Sequence, residues 1–336
     1  MGIRATGKHA AAIVLPTVLA ATILVGAQPV SATSRCQSFG AWSDTAVSGA
    51  EATTLNELSG LQSSFAHPHL LWGVEDSGNG AHLFAFSSGG DLVRDFTLQG
   101  AHLTNWDWEA LAIDPRRGRD VIYIGDIGDN GHSRTGHDVR APALYRLREP
   151  RVRATDAFAS RTIPHVRLFL FRYFTRRGVL SPRNAEAMFV DPRRHDVVVI
   201  TKDLETISRH PRRVRVFAMH AGGLRAGIGH LNHAKQVATL TASPPGGSTG
   251  AVAADISRDG RSIVVKNYGS GFLWRRGRHQ RAWDPFRRHP VAPCRVPVDG
   301  AEAITFSYGA GTRWTGFWSV RETSSPPPPL RHLSRG

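Results

Sequence analysis

The chain is poor in cysteine, methionine and helical periodicity, and each shortage removes a class of protein. Two cysteines and three methionines occur in 336 residues. Two cysteines cannot build a disulfide-dense small scaffold or a four-thiolate zinc site. None of the 16 histidines falls in an H-E-x-x-H motif, which argues against zinc-protease chemistry. Few segments show a 3.6-residue apolar period, and the 34 glycines and 20 prolines interrupt the chain constantly, so a helical protein is excluded. Beyond residue 32 no segment approaches the ~20 apolar residues of a membrane span. Lysine is also scarce: only Lys8, Lys202, Lys235 and Lys266 stand among the 42 basic residues.

The one long apolar run lies at the start. Arg4, Lys8 and His9 precede Ala10 to Ala27, and Val30-Ser31-Ala32 supplies the small residues of a cleavage site. Residues 1–32 therefore read as a signal peptide, and the remainder as extracytoplasmic. Thr33-Ser34-Arg35 before Cys36 is too polar for a lipid-anchor motif. In that compartment Cys36 and Cys294 are free to form a disulfide. The net charge of +15 loses two units with the leader. A basic surface attracts anionic partners, a small anionic substrate or an envelope ligand. The clusters Arg212-Arg213-Arg215 and Arg275-Arg276-Arg278 lack interleaved aromatics, so no sequence-specific nucleic-acid reader is expected. Gly246-Gly247-Ser248-Thr249-Gly250 matches a nucleophile string, but it follows Pro244-Pro245 and lacks a following helix.

What the chain does contain is a repeat. An inner strand opens each unit, with copies at Ser59-Gly60-Leu61, Glu109 to Asp114, Glu186 to Asp191, Ala254 to Ser257 and Glu302 to Phe306. Each runs into a tight turn and a second β-branched or aromatic strand. Third strands follow in four units, and fourth strands fit Leu92 to Leu98, Val166 to Phe174 and Gln236 to Leu240. Four antiparallel strands per unit predict an all-β fold, a β-propeller with five repeats counted and a sixth left open within residues 130–183. The domain is expected over 33–323, closed by strands from residues 36–56. Residues 324–336, opening with Pro326 to Pro329, read as a Pro-rich disordered tail.

Hairpin geometry then places the acids. Glu109 with Asp126, Glu186 with Asp203 and Ser59 with Asp76 are each 17 residues apart around their turns, so each pair is expected at the end of its hairpin away from the turn. With the first strand of each unit innermost, these acids gather at one mouth of the central channel, and the turn arginines Arg116, Arg117, Arg119, Arg193, Arg194, Arg258 and Arg261 gather on the opposite face. Carboxylates so close need a cation, protons or hydrogen-bond donors to offset them. Glu109, Asp126, Asp129, Glu186, Asp203 and Glu302 are the candidate ligands of a hard cation such as Ca²⁺. The same acids can instead fix the ring by accepting neighbouring amides, or stand as solvated edge charges. Trp108, Asp76 and Asp255 are the residues expected to meet a substrate; for Trp108 core packing is the competing role.

Glu57 to Leu61, Leu71-Trp72 with Glu75 to Gly78, Asp107-Trp108-Glu109, Tyr123 to Asn130 and Asn184 to Ala187 resemble a family of secreted bacterial propellers near the phytase-like, esterase-like group. The resemblance runs from about Glu57 to Glu322, and its most specific part is Gly125-Asp126-Ile127-Gly128-Asp129-Asn130. It implies a propeller fold, calcium, and phosphoester or ester hydrolysis. Ala254 departs from it, standing where other units carry Glu. The alternative is a non-catalytic module that holds a protein or envelope ligand on one face.

Overall fold

The computed structural model describes residues 1–2, 36–135, 138–202, 213–241, 250–287, 293–309, 311–323 and 326–336. The leader, Asp203 and the string at 246–249 lie outside the described residues. The structure is a β-propeller built of antiparallel units. The first unit comprises Leu58–Ser63, Leu70–Glu75, His82–Ser87 and Leu92–Leu98, in that spatial order from the centre outward. The second comprises Trp108–Asp114, Val121–Asp126, Ala143–Arg148 and Arg167–Thr175. The third comprises Ala185–Val190, Asp196–Thr201, Arg213–His220 and Leu231–Thr241, and the fourth Ala253–Ile256, Ser262–Lys266, Gly271–Arg275 and Cys294–Val296. The last has Ala303–Tyr308, Trp314–Val320, Leu330–Arg335 and, outermost, Phe39–Thr45.

The alternation of side chains explains the ring. Successive residues of a strand face opposite ways, and each inner strand feeds two different cores. Leu111 and Ile113 pack toward the first unit, and Ala110 and Ala112 toward the third. In the next unit Met188 and Val190 face the second, and Ala187 and Phe189 the fourth. Two further cores join the fourth unit to the last and the last to the first, through Phe306 and Phe317 and through Ala303, Val320 and Leu330. The inter-unit cores thus run around a closed circle. Burial on both faces is why these strands read as near-continuous apolar runs.

Three expectations change. The tail is not disordered: Leu330–Arg335 pairs with Trp314–Val320 on one side and Phe39–Thr45 on the other. Leu330 and Leu333 are fully buried there, and that burial orders the segment. The N-terminal segment accordingly supplies one outer strand instead of several. Within residues 143–180 the chain provides outer strands of the second unit, and Ala159–Ile163 adds a parallel edge strand to the first. The second and third units also join edge to edge, Arg167–Thr175 running parallel to Leu231–Thr241.

The hairpin registers are offset by one residue from simple opposition. Register shifts flank Ser59, Glu109 and Glu186 in their inner strands, so Trp108, not Glu109, stands opposite Asp126. A bulge inserts one unpaired residue and re-aims its side chain. Here it recurs at the same place in three units and turns each bulged residue toward the ring centre. A disulfide joins Cys36 to Cys294 across 258 residues of sequence, tying the approach to the outermost strand to the unit beside it. Among the described residues no helix is long and apolar enough to cross a membrane.

Candidate functional site: the acidic mouth

Glu109, Glu186 and Glu302 meet at the centre. One carboxylate oxygen from each lies within 4.8 Å of the others. Asp76, Asp107 and Glu109 form a second triplet on the same criterion, so Glu109 bridges the two. Glu109 and Glu186 are buried, at 4% and 3% exposure, and Glu302 is half-buried. Glu109 Oε1 and Glu186 Oε2 have no hydrogen-bond partner among the described residues. A buried, unpartnered carboxylate oxygen is costly unless a proton or cation reaches it. Beside the mouth the inner strands line a space of about 10 Å³ whose wall is mostly apolar, with Glu109, Glu186 and Ser59 as its polar members. That is room for one water or one bare ion.

The electrostatics follow from crowding. Burial, reinforced by Glu186, Asp76 and Asp107, holds the Glu109 carboxyl well above its ordinary range. Burial pushes Glu186 up to about 7 against the pull of Lys202. Asp76 rises to about 8 through burial and through Asp107, with which it shares a hydrogen bond, while the Ser77 amide acts the other way. Glu322, beside Glu302 and Glu57, rises to about 7, again mainly by burial. The mouth therefore retains protons at neutral pH when no cation is present.

Two side chains that sequence reasoning missed organise the cluster. Lys202 donates to Glu186 Oε1 and to the Tyr268 hydroxyl at 3.3 Å. Tyr268 in turn donates to Glu302 Oε1 at 2.6 Å. Both follow the second strand of their units, where no repeat signal marks them. Asp107 was visible only as a neighbour of Trp108.

The glycine string of the second unit has a steric role. A Cβ on Gly128 would stand 2.5 Å from Asp107 Cγ and 2.5 Å from Glu109 Oε1. Only glycine lets the loop backbone lie against both carboxylates, and Gly128 N–H donates to the Asp107 carbonyl at 3.2 Å.

Other expected site residues are engaged elsewhere. Asp126 accepts from buried Arg134 and from the Asp107 amide, and Asp129 accepts from the Arg134 amide at 3.0 Å. Asp129 N–H donates to Asn184 Oδ1 at 2.8 Å, which ties the loop to the third unit. These two acids hold the loop; the guanidinium already fills the place a cation would take. Trp108 is a core residue with no exposed surface, its indole N–H donating to the Thr104 carbonyl at 3.1 Å. Asp255 is buried away from the mouth, accepting from the Phe306 amide and Thr305 hydroxyl at 2.8 Å each, so it stitches the fourth unit to the last. Burial lifts its carboxyl to about 6 despite those donors. Of the three expected substrate contacts, Asp76 alone lies at the mouth.

No protein-family profile and no curated protein matches the chain. Among solved structures, the complex of KlAtg21 with the coiled-coil of AgAtg16 aligns over 80% of this chain and 68% of that chain, at 10% identity and a TM-score of 0.33.

Proposed function

We propose that this is a secreted propeller of the phytase-like type whose acidic mouth binds Ca²⁺ and hydrolyses a phosphoester or ester there. The observation that carries the reading is the pair of buried, unpartnered oxygens, Glu109 Oε1 and Glu186 Oε2, each belonging to a carboxylate that lies within 4.8 Å of Glu302. Hard, anionic oxygens without competing donors are what Ca²⁺ takes as ligands. Glu109, Glu186 and Glu302 would hold the ion, with Asp107 and Asp76 toward solvent. When bound, the ion supplies Lewis acidity toward an ester or phosphoryl oxygen. Lys202 and Tyr268 fix the orientation of Glu186 and Glu302. Asp76 and Asp107, which share a hydrogen bond in the metal-free protein, are the carboxyls nearest an incoming substrate. The N-terminal leader and the Cys36–Cys294 bridge support export.

The test combines a calcium titration read by melting temperature with hydrolysis of p-nitrophenyl phosphate and p-nitrophenyl acetate in calcium and in chelator. Calcium-dependent stabilisation together with calcium-dependent turnover supports the reading. Stabilisation without turnover of either ester assigns the mouth to a non-catalytic binding module. Absence of stabilisation removes the metal.

A further inference from the structure

A second feature lies at the turn end of the second unit, away from the mouth. Two abutting clefts, of about 770 and 760 Å³, share the lining arginines Arg119, Arg146, Arg148, Arg151 and Arg167. The first extends to Arg161 on the added edge strand of the first unit, and the second past Arg117 to Gly222 and Leu224 in the third. No carboxylate lines either cleft. Two of the lining arginines meet acids, Arg116 at Asp114 and Arg94 at Asp156, but Arg117, Arg148, Arg151 and Arg161 are exposed and make no ion pair among the described residues. Others are held in place: Arg119 Nε donates to the Glu149 carbonyl at 2.8 Å, and the Arg146 and Arg167 guanidiniums lie 4.5 and 5.4 Å from the centre of the Phe169 ring.

From this geometry we propose that the groove binds a linear, base-free polyanion with repeating phosphate groups. Unneutralised guanidiniums strung from the added edge strand of the first unit across the turn end of the second match a chain of charges better than one compact anion, and Arg is the side chain suited to bidentate phosphate contact. The groove offers little platform for stacked bases: Phe169 and Tyr123 have no exposed surface, Phe96 has 5%, and among the lining residues His165 alone presents an exposed aromatic ring. Single-stranded nucleic acid relies on exposed aromatic faces, so a polymer without bases fits better. The site is independent of the calcium reading, since it shares no residue with the mouth.

The experiment uses the disulfide-bonded exported chain and measures binding of inorganic polyphosphate and of poly(glycerol phosphate) of equal charge against salt concentration. The triple variant Arg148→Gln, Arg151→Gln, Arg161→Gln should bind at least about tenfold more weakly. Its log K versus log salt slope should fall by about 2, since each lost phosphate contact removes ~0.7. A control removing the same charge elsewhere, Arg275→Gln, Arg278→Gln, Arg313→Gln, should leave both nearly unchanged. Loss in the first variant with either polymer supports the proposal, and the tighter polymer identifies the source of the phosphate chain. Equal loss in both variants would show bulk charge attraction and overturn it. Tighter binding of an oligothymidylate of equal charge would also overturn it. Because all three groove residues are exposed, an unchanged melting temperature shows that the variant is folded.

Discussion

Replacing Glu109 with glutamine separates a cation site from a hydrogen-bonded acid cluster, because it moves two observables in opposite directions. Its carboxylate stands within 4.8 Å of oxygens from both Glu186 and Glu302. At an effective dielectric of 20, two unit charges at that separation repel by about 3.5 kcal/mol. Bound protons relieve much of this, so the realised cost to the metal-free fold is on the order of 1–3 kcal/mol. Glu109→Gln removes that cost and keeps the shape. The variant in chelator at pH 8 should therefore melt higher than the parent, by roughly 2–12 °C at ~2–4 °C per kcal/mol. In calcium the order reverses. The parent gains about 4.1 kcal/mol when free calcium is about 1,000 times its dissociation constant, and the variant gains little, having lost a ligand. Thermal melts followed by circular dichroism in chelator and in calcium give all four values. A variant that melts lower than the parent in chelator would mean Glu109 is a satisfied structural acceptor, and one that keeps the full calcium shift would mean the ion binds elsewhere; either result refutes the reasoning.

Three further outcomes follow from the same structure. Gly128→Ala places a methyl group 2.5 Å from Asp107 Cγ and Glu109 Oε1; it should cost about 1–3 kcal/mol and weaken calcium affinity about tenfold, measured by calorimetric titration. Deleting residues 330–336 should leave the chain insoluble or unfolded by circular dichroism, since the strand Leu330–Arg335 separates and pairs two others; a soluble truncated protein of unchanged stability would contradict the topology. Glu186, Glu322 and Asp76 titrate near 7, 7 and 8 in the fold, above the 4.5 and 3.8 of the free side chains. The metal-free protein then holds more protons folded than unfolded between about pH 4.5 and 8, and its stability should fall as pH rises through that window. Calcium should flatten the fall, and a melting temperature in chelator that climbs from pH 5 to 8.5 would contradict the assignment.

The repeat was legible because it is local: alternating apolar residues, a turn, and a second β-branched strand lie within some twenty residues of each other. Glu109, Glu186 and Glu302 could be gathered on paper because they occupy the same step of three repeats, and the ring brings equivalent steps together. The strand Leu330–Arg335 was hidden by the prolines before it and by its own pattern, with buried leucines three apart where a two-residue alternation is the readable signal. Trp108 and Asp255 were misplaced because the bulge at Glu109 and the tightness of the central cavity are tertiary facts. Lys202, Tyr268 and Arg134 stand in segments after second strands that do not repeat from unit to unit. The cations and donors of the mouth therefore carried no periodic mark, although its acids did.

The most direct measurement is an anomalous difference map from crystals of residues 33–336 grown in calcium. The account predicts one strong peak at the ring centre, 2.3–2.6 Å from carboxylate oxygens of Glu109, Glu186 and Glu302. A map with no peak there, at a calcium concentration that fills ordinary carboxylate sites, would contradict it.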